Sequence, residues 1–205
     1  MMKKSYILLL YLFVHGFFQP YELLAQYVDL ENAKSAAKNL HESVLIVRFP
    51  VNGPKIRYLQ NRIKTSQNEK TRKNFTKELA AAEELNKIRL TALYSALKNK
   101  YTFSPFLIMP DSNYNVFLKG KNEVFFNEKA EIDPTLLCKN NTYYLLISGD
   151  NQDQYVLVNK ELQKLDKPFP HRATIFLSGL TRVINRGKYY TKQIDWMNKR
   201  LVNLL

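Results

Sequence analysis

Ser43–Phe49 reads SVLIVRF and is followed at once by Pro50-Val51-Asn52-Gly53-Pro54. A strand with one wet face alternates apolar and polar side chains, whereas this run is apolar and largely β-branched, with Arg48 its only charge. It therefore reads as a strand buried on both faces, as in the centre of an α/β sheet. The Pro, Asn and Gly cluster ends it. Pro54 is well placed to open a helix, because the N–H that proline lacks has no intrahelical acceptor in the first turn.

Upstream, Leu30, Ala33, Ala37 and Leu40 recur at three and four residues behind Asp29, a good N-cap, and predict an amphipathic helix. Downstream, Ile56, Leu59 and Ile63 mark one helical stripe, and polar Thr65 to Asn68 predict a break. Phe75, Leu79, Ala82, Leu85, Ile88 and Ala92 mark a second stripe, so Pro54 to about Lys100 is expected to form a helical hairpin. Glu69–Lys73 and Glu83–Lys87 stand at i,i+4 in the favourable order, each pair worth about 0.2–0.5 kcal/mol.

Strands are expected again at Phe106–Met109, weakly at Glu123–Phe126, and at Thr142–Ser148 and Gln154–Asn159, with Gly149–Asp153 a hairpin loop. Leu162–Leu165 is expected to pair back after a turn at Lys160-Glu161. From about Ala173 the chain reads as helical with a break at Gly187, and Ile194, Met197, Leu201 and Leu204 stripe the last helix. The fold class is α/β: a mixed central sheet with flanking helices and an inserted long helical hairpin. A thioredoxin-like or Rossmann-like core fits that order. A single cysteine, Cys138, excludes the C-x-x-C redox centre and any intramolecular disulfide.

The N-terminus has the layout of a secretion signal. Lys3 and Lys4 give the charge, Tyr6–Phe18 the apolar stretch, Pro20 the helix stop and Ala25 the cleavage position. Thirteen residues are short of the about 20 needed to cross a bilayer, and no cysteine follows the cut to carry a lipid. Residues 1–25 are thus expected to be a signal peptide and 26–205 a single domain with its helical insertion at about 54–100. Export implies a periplasmic or secreted protein.

The whole chain carries a net charge of +13 with 45% hydrophobic and 13% aromatic residues, which excludes a disordered polyelectrolyte. Loss of Lys3, Lys4 and Glu22 with the signal lowers the charge to +12. Lys55 to Lys100 holds twelve basic and four acidic residues, and such an excess favours an anionic partner. Arg62, Lys64, Lys70, Arg72, Lys73 and Lys77 are the candidate contacts, to an anionic envelope surface or a partner protein. Nucleic acid is a less accessible partner for an exported chain, and only Phe75 lies among these charges for stacking. For the charge run taken alone a solvated helix face is the default, since such runs on long helices usually serve solubility. Asn74 and Asn140 are N-x-[ST] positions, relevant only to a eukaryotic secretory route.

The series LLAQ, SVLIVRFP, the basic helical stretch, FSPFLIM, TYYLLIS and YVLVNKELQKLDKPFP resembles small exported proteins of the Bacteroidota, over most of the mature chain. The resemblance implies an envelope location and brings no activity and no functional residues with it.

Chemistry-bearing motifs are sparse. His41 and His171 are the only histidines after the signal, too few and too far apart for a zinc site, and no metal is expected. His41 reads as a helix-terminal residue favoured by the dipole. A Cys138–His171 nucleophile pair rests on residue types alone. Asp150 and Asp153 lack the spacing of a calcium loop, and the carboxylates Asp111, Glu123 and Asp133 have no distinguishing pattern. Neither G-x-x-x-x-G-K-[ST] nor G-x-G-x-x-G occurs, so no cofactor is expected. The nearest thing to a ligand turn is Asn52-Gly53-Pro54-Lys55 with Arg57, where strand ends and helix N-termini attract anions, although Pro54 removes one amide. The sequence leans away from an enzyme and towards a binding module. A degenerate α/β small-ligand domain using Asn52, Gly53, Lys55 and Arg57, or an enzyme with an unrecognised site, are the alternatives.

Overall fold

A computed structural model describes residues 31–121, 123–139, 142–148, 155–165 and 185–205. The signal segment, the Gly149–Asp153 loop, Asn140, His171 and the start of the expected C-terminal helical region lie outside these residues. The described elements run α1 (residues 31–41), β1 (Val44–Phe49), α2 (Gly53–Thr65), α3 (Glu69–Lys100), β2 (Phe106–Pro110), α4 (Tyr114–Leu118), β3 (Tyr143–Ser148), β4 (Tyr155–Val158) and α5 (Arg186–Val202).

The sheet has the order β2-β1-β3-β4, with β1 parallel to both β2 and β3 and β4 antiparallel to β3. β1 is interior, in keeping with a run that is apolar except at Arg48. Leu45, Val47 and Phe49 point to one face, where α1, the end of α3 and α5 cover them. Val44 and Ile46 point to the other, under Tyr114 of α4 and Val124 and Phe125 of the following loop. The α/β reading therefore holds, with helices flanking a mixed sheet.

Asn52 ends β1 in the left-handed region at φ 53°, a conformation that asparagine tolerates better than most residues, and Pro54 occupies the first turn of α2. The expected break is real: α2 stops at Thr65, and Asn68 caps α3 by accepting from the Thr71 N–H at 3.1 Å. Both halves of the hairpin are thus where the two stripes placed them.

Several expectations are corrected. Glu123–Phe126 is no strand; Phe126 makes only isolated bridges to Ile108 and Ile132. Leu162–Leu165, by contrast, does pair back after the turn, through an antiparallel bridge of Lys164 to Val158 and a Leu165 N–H to Leu157 carbonyl hydrogen bond at 3.4 Å. The break expected at Gly187 falls beside a helix boundary, since Asn185 is non-helical and α5 begins at Arg186, and the residues before Asn185 lie outside the described ones. Gly187 itself starts no new helix. It lies in the first turn of α5, which Asn185 caps through the Lys188 N–H at 2.9 Å. The stripe on α3 also shifts: Leu85 and Ile88 are exposed, and the buried residues are Leu90, Leu93, Ala96 and Leu97. The helix reaches the sheet only in its last third, so the face that matters changes along its length. Glu69–Lys73 and Glu83–Lys87 are not among the ion pairs of the described residues, in keeping with the small gain from exposed pairs.

Candidate functional site

The turn after β1 is fastened from within. The Asn86 amide of α3 donates to the Val51 carbonyl at 2.7 Å, the Asn52 amide donates to Asn86 Oδ1 at 3.4 Å, and the Val51 N–H donates to Asp111 at 3.2 Å. Asn52 therefore spends its side chain on α3 and does not cap α2. Lys55 and Arg57 are exposed on the first turn, and the Arg57 guanidinium folds back beside Gly53, 3.1 Å from where a Cβ would stand. The four residues expected at this strand end share one turn. Nearby, on the opposite face of β1, the Arg48 guanidinium lies 4.2 Å above the Tyr114 ring. The strand pattern gave no hint of this contact.

Beyond that turn, α2 and the first two-thirds of α3 form an arm. Leu59 is the only buried residue of α2, and nothing before Leu90 is buried on α3. The interior of the arm is thin. Ile56, Leu59 and Ile63 lie on one face of α2, and Phe75, Leu79 and Ala82 are half-buried on α3. Near the tip the Arg62 guanidinium lies 5.3 Å from the Phe75 ring, which the exposed Tyr58 meets edge-on at 6.5 Å.

All the basic residues expected to contact a partner are exposed: Arg62, Lys64, Lys70, Arg72, Lys73 and Lys77. They do not form one face. Lys70, Lys73 and Lys77, at three- and four-residue steps, share a stripe opposite the Phe75–Leu79–Ala82 stripe of α3. Arg57 and Lys64 lie on the side of α2 turned away from Leu59 and Ile63. Arg62 is engaged on Phe75, and Arg72 lies off the lysine stripe. From Lys55 to Lys77 there are eight basic residues and one acidic one, Glu69, so the arm is positive around its circumference.

A second feature escaped the sequence reading. A cleft of about 610 Å³ opens beside β2, lined by Tyr94, Tyr101, Phe103, Phe106 and Phe126, with His41, Lys98 and Ser104 among its polar groups. His41 does not cap its own helix. Its Nδ1 hydrogen-bonds the Phe103 carbonyl, tying α1 to the loop before β2. Tyr101 is buried, and its hydroxyl pairs with Ser104 Oγ at 2.8 Å. Burial pushes the Tyr101 phenol well above its ordinary value of 10.0, outweighing the Ser104 hydrogen bond. Below pH 10 the folded and unfolded chains both keep this proton; above it only the unfolded chain loses it. Stability is thus expected to fall as pH rises through 10, and a Tyr101→Phe chain is expected to show a shallower alkaline fall in denaturation midpoint.

The remaining candidates are dispersed. Asp133 accepts from the Thr135 N–H at 2.9 Å and from its hydroxyl at 2.6 Å, which hold the carboxyl below its ordinary value. Asp111 is spent on Val51. Cys138 is half-buried against the second core. Among the described residues no three His, Cys, Asp or Glu side chains come together as a metal site, and no helix is long and apolar enough to cross a membrane. No family model, curated protein or solved structure matches the chain.

Proposed function

We propose that the chain is an exported binding module of the cell envelope that holds an anionic partner through the α2–α3 arm, without catalysing a reaction. One observation carries this reading: an arm that contributes almost nothing to either core bears eight exposed basic residues against one acid between Lys55 and Lys77. Like charges crowded on a thin hairpin repel one another and cost stability, and an anionic partner would offset that cost. Charge on opposite sides of the arm suits a flexible acidic polymer that can surround it better than a flat bilayer that meets one side. The resemblance to exported Bacteroidota proteins and the signal-like N-terminus support an envelope location.

Binding to immobilised polygalacturonate tests the reading. Retention is expected at low salt and release as the screening length shrinks from about 10 Å at 0.1 M to about 3 Å at 1 M. Vesicles containing phosphatidylglycerol are expected to hold the chain less well than the polymer does. Passage through the polymer column at low salt would refute the proposal.

A further inference from the structure

Among the described residues β2 is the edge of the sheet, and its outer side is only half covered. The Leu45 N–H donates to the Pro105 carbonyl at 2.9 Å, which fixes the phase of the parallel ladder: Leu107 turns its main chain towards β1, while Phe106 and Ile108 turn theirs outward. The Ile108 carbonyl accepts from the Phe126 N–H at 2.8 Å in an antiparallel bridge. A strand continuing from Phe126 would next pair residue 128 with Phe106. It does not continue, because the chain folds back at Asn127, whose Oδ1 accepts from the Lys129 and Glu131 N–H groups at 2.9 and 3.1 Å. Phe106 is left with an outward N–H and C=O that have no backbone partner among the described residues.

The aromatic cleft lies along this open position, and Phe106 is part of its wall. A second cavity of about 360 Å³ adjoins it, sharing Tyr94 and Leu136. Glu128, Glu131 and Asp133 line that second cavity against a single cation, Lys129. In a chain of net charge +13 this is a local reversal of sign. Glu128 is partnered by Lys98 at 3.2 Å, and Asp133 stays ionised through its bonds to Thr135.

We propose that an extended peptide segment of a partner protein adds to the β2 edge at Phe106, seating an apolar or aromatic side chain in the aromatic cleft and a basic one beside Glu131 and Asp133. An unpaired strand edge recognises an extended chain through main-chain hydrogen bonds, and pockets beside it select alternate side chains. Residues i and i+2 of such a chain stand on the same side about 6.7 Å apart, which suits two adjoining cavities. This site is separate from the basic arm and has the opposite charge preference.

The blocked peptide acetyl-Val-Phe-Val-Lys-Val-amide serves as probe, with two analogues N-methylated on alternate sets of amides. Amide exchange at Phe106 is expected to slow at least tenfold on peptide binding. One analogue is expected to lose about tenfold or more in affinity and the other little, because only one set of amides faces β2. Equal binding of both analogues overturns the proposal, as does equal binding of acetyl-phenylalanine amide, which would make the cleft a small-ligand pocket. Absence of binding at about 1 mM peptide overturns it too. A dimer in sedimentation with the Phe106 amide already protected would assign the edge to a second copy and also overturn it.

Discussion

Leu97→Ala is expected to destabilise the protein by about 2–5 kcal/mol in urea denaturation, while Ile88→Ala, nine residues earlier on the same helix, is expected to shift stability by no more than about 0.5 kcal/mol. Both positions carry aliphatic side chains of equal size, so hydrophobicity alone does not separate them. Burial does. Leu97 is 0% exposed within the core that joins α3, α5 and β1, and Ile88 is 47% exposed. Truncating Leu97 removes dispersion contacts and leaves a cavity between elements that close packing holds in place. Truncating Ile88 removes surface that water already reaches. Equal effects at the two positions would mean that the arm packs on the core, and the proposed independence of the arm would fall with it.

Replacing Asn61–Lys77 by a turn of about four residues is expected to weaken binding to the acidic polymer at least about a hundredfold while the protein remains folded. The deletion removes Arg62, Lys64, Lys70, Arg72, Lys73 and Lys77 together with Glu69. A basic residue near an anionic surface contributes about 1 kcal/mol. Three of the six acting together thus account for roughly the stated loss, since each 1.4 kcal/mol is about tenfold. Leu59, Leu79 and the Asn86 bonds to Val51 and Asn52 remain, so the base of the arm keeps its contacts. Retained affinity in a folded shortened chain would move the anionic site elsewhere. A collapse of the thermal midpoint would show instead that the arm stabilises the core, and a triple Lys70→Glu, Lys73→Glu, Lys77→Glu chain would then measure the charge effect without deletion.

The run in Val44–Phe49, apolar at every step but Arg48, was enough to place a central strand, because a strand with one wet face would alternate apolar and polar side chains. Local chemistry was similarly sufficient at Pro54, which lies in the first turn of α2, at the polar Thr65–Asn68 break between α2 and α3, and at Ile194, Met197 and Leu201, which are buried on α5. The α3 stripe misled at Leu85 and Ile88 because periodicity reports that a helix has an apolar face and not where along its length that face finds a partner. Glu123–Phe126 misled because a short β-rich run becomes a strand only if an edge is free over several residues, and the chain turns away after Phe126.

The SVLIVRF segment thus determined by itself a strand buried on both faces, since its pattern is set by burial, and the helical stripes and later strands around it made the class α/β. The tertiary structure decided what the segment's neighbours leave open. The basic residues of the hairpin were legible as a count, but their distribution around an arm required the helix phases and the packing of α2 on α3. The cleft at Phe106 was not legible at all. It draws His41, Tyr94, Phe106 and Leu136 from distant parts of the sequence, and its main-chain groups lack a backbone partner among the described residues only because folding placed β2 at the edge of the sheet.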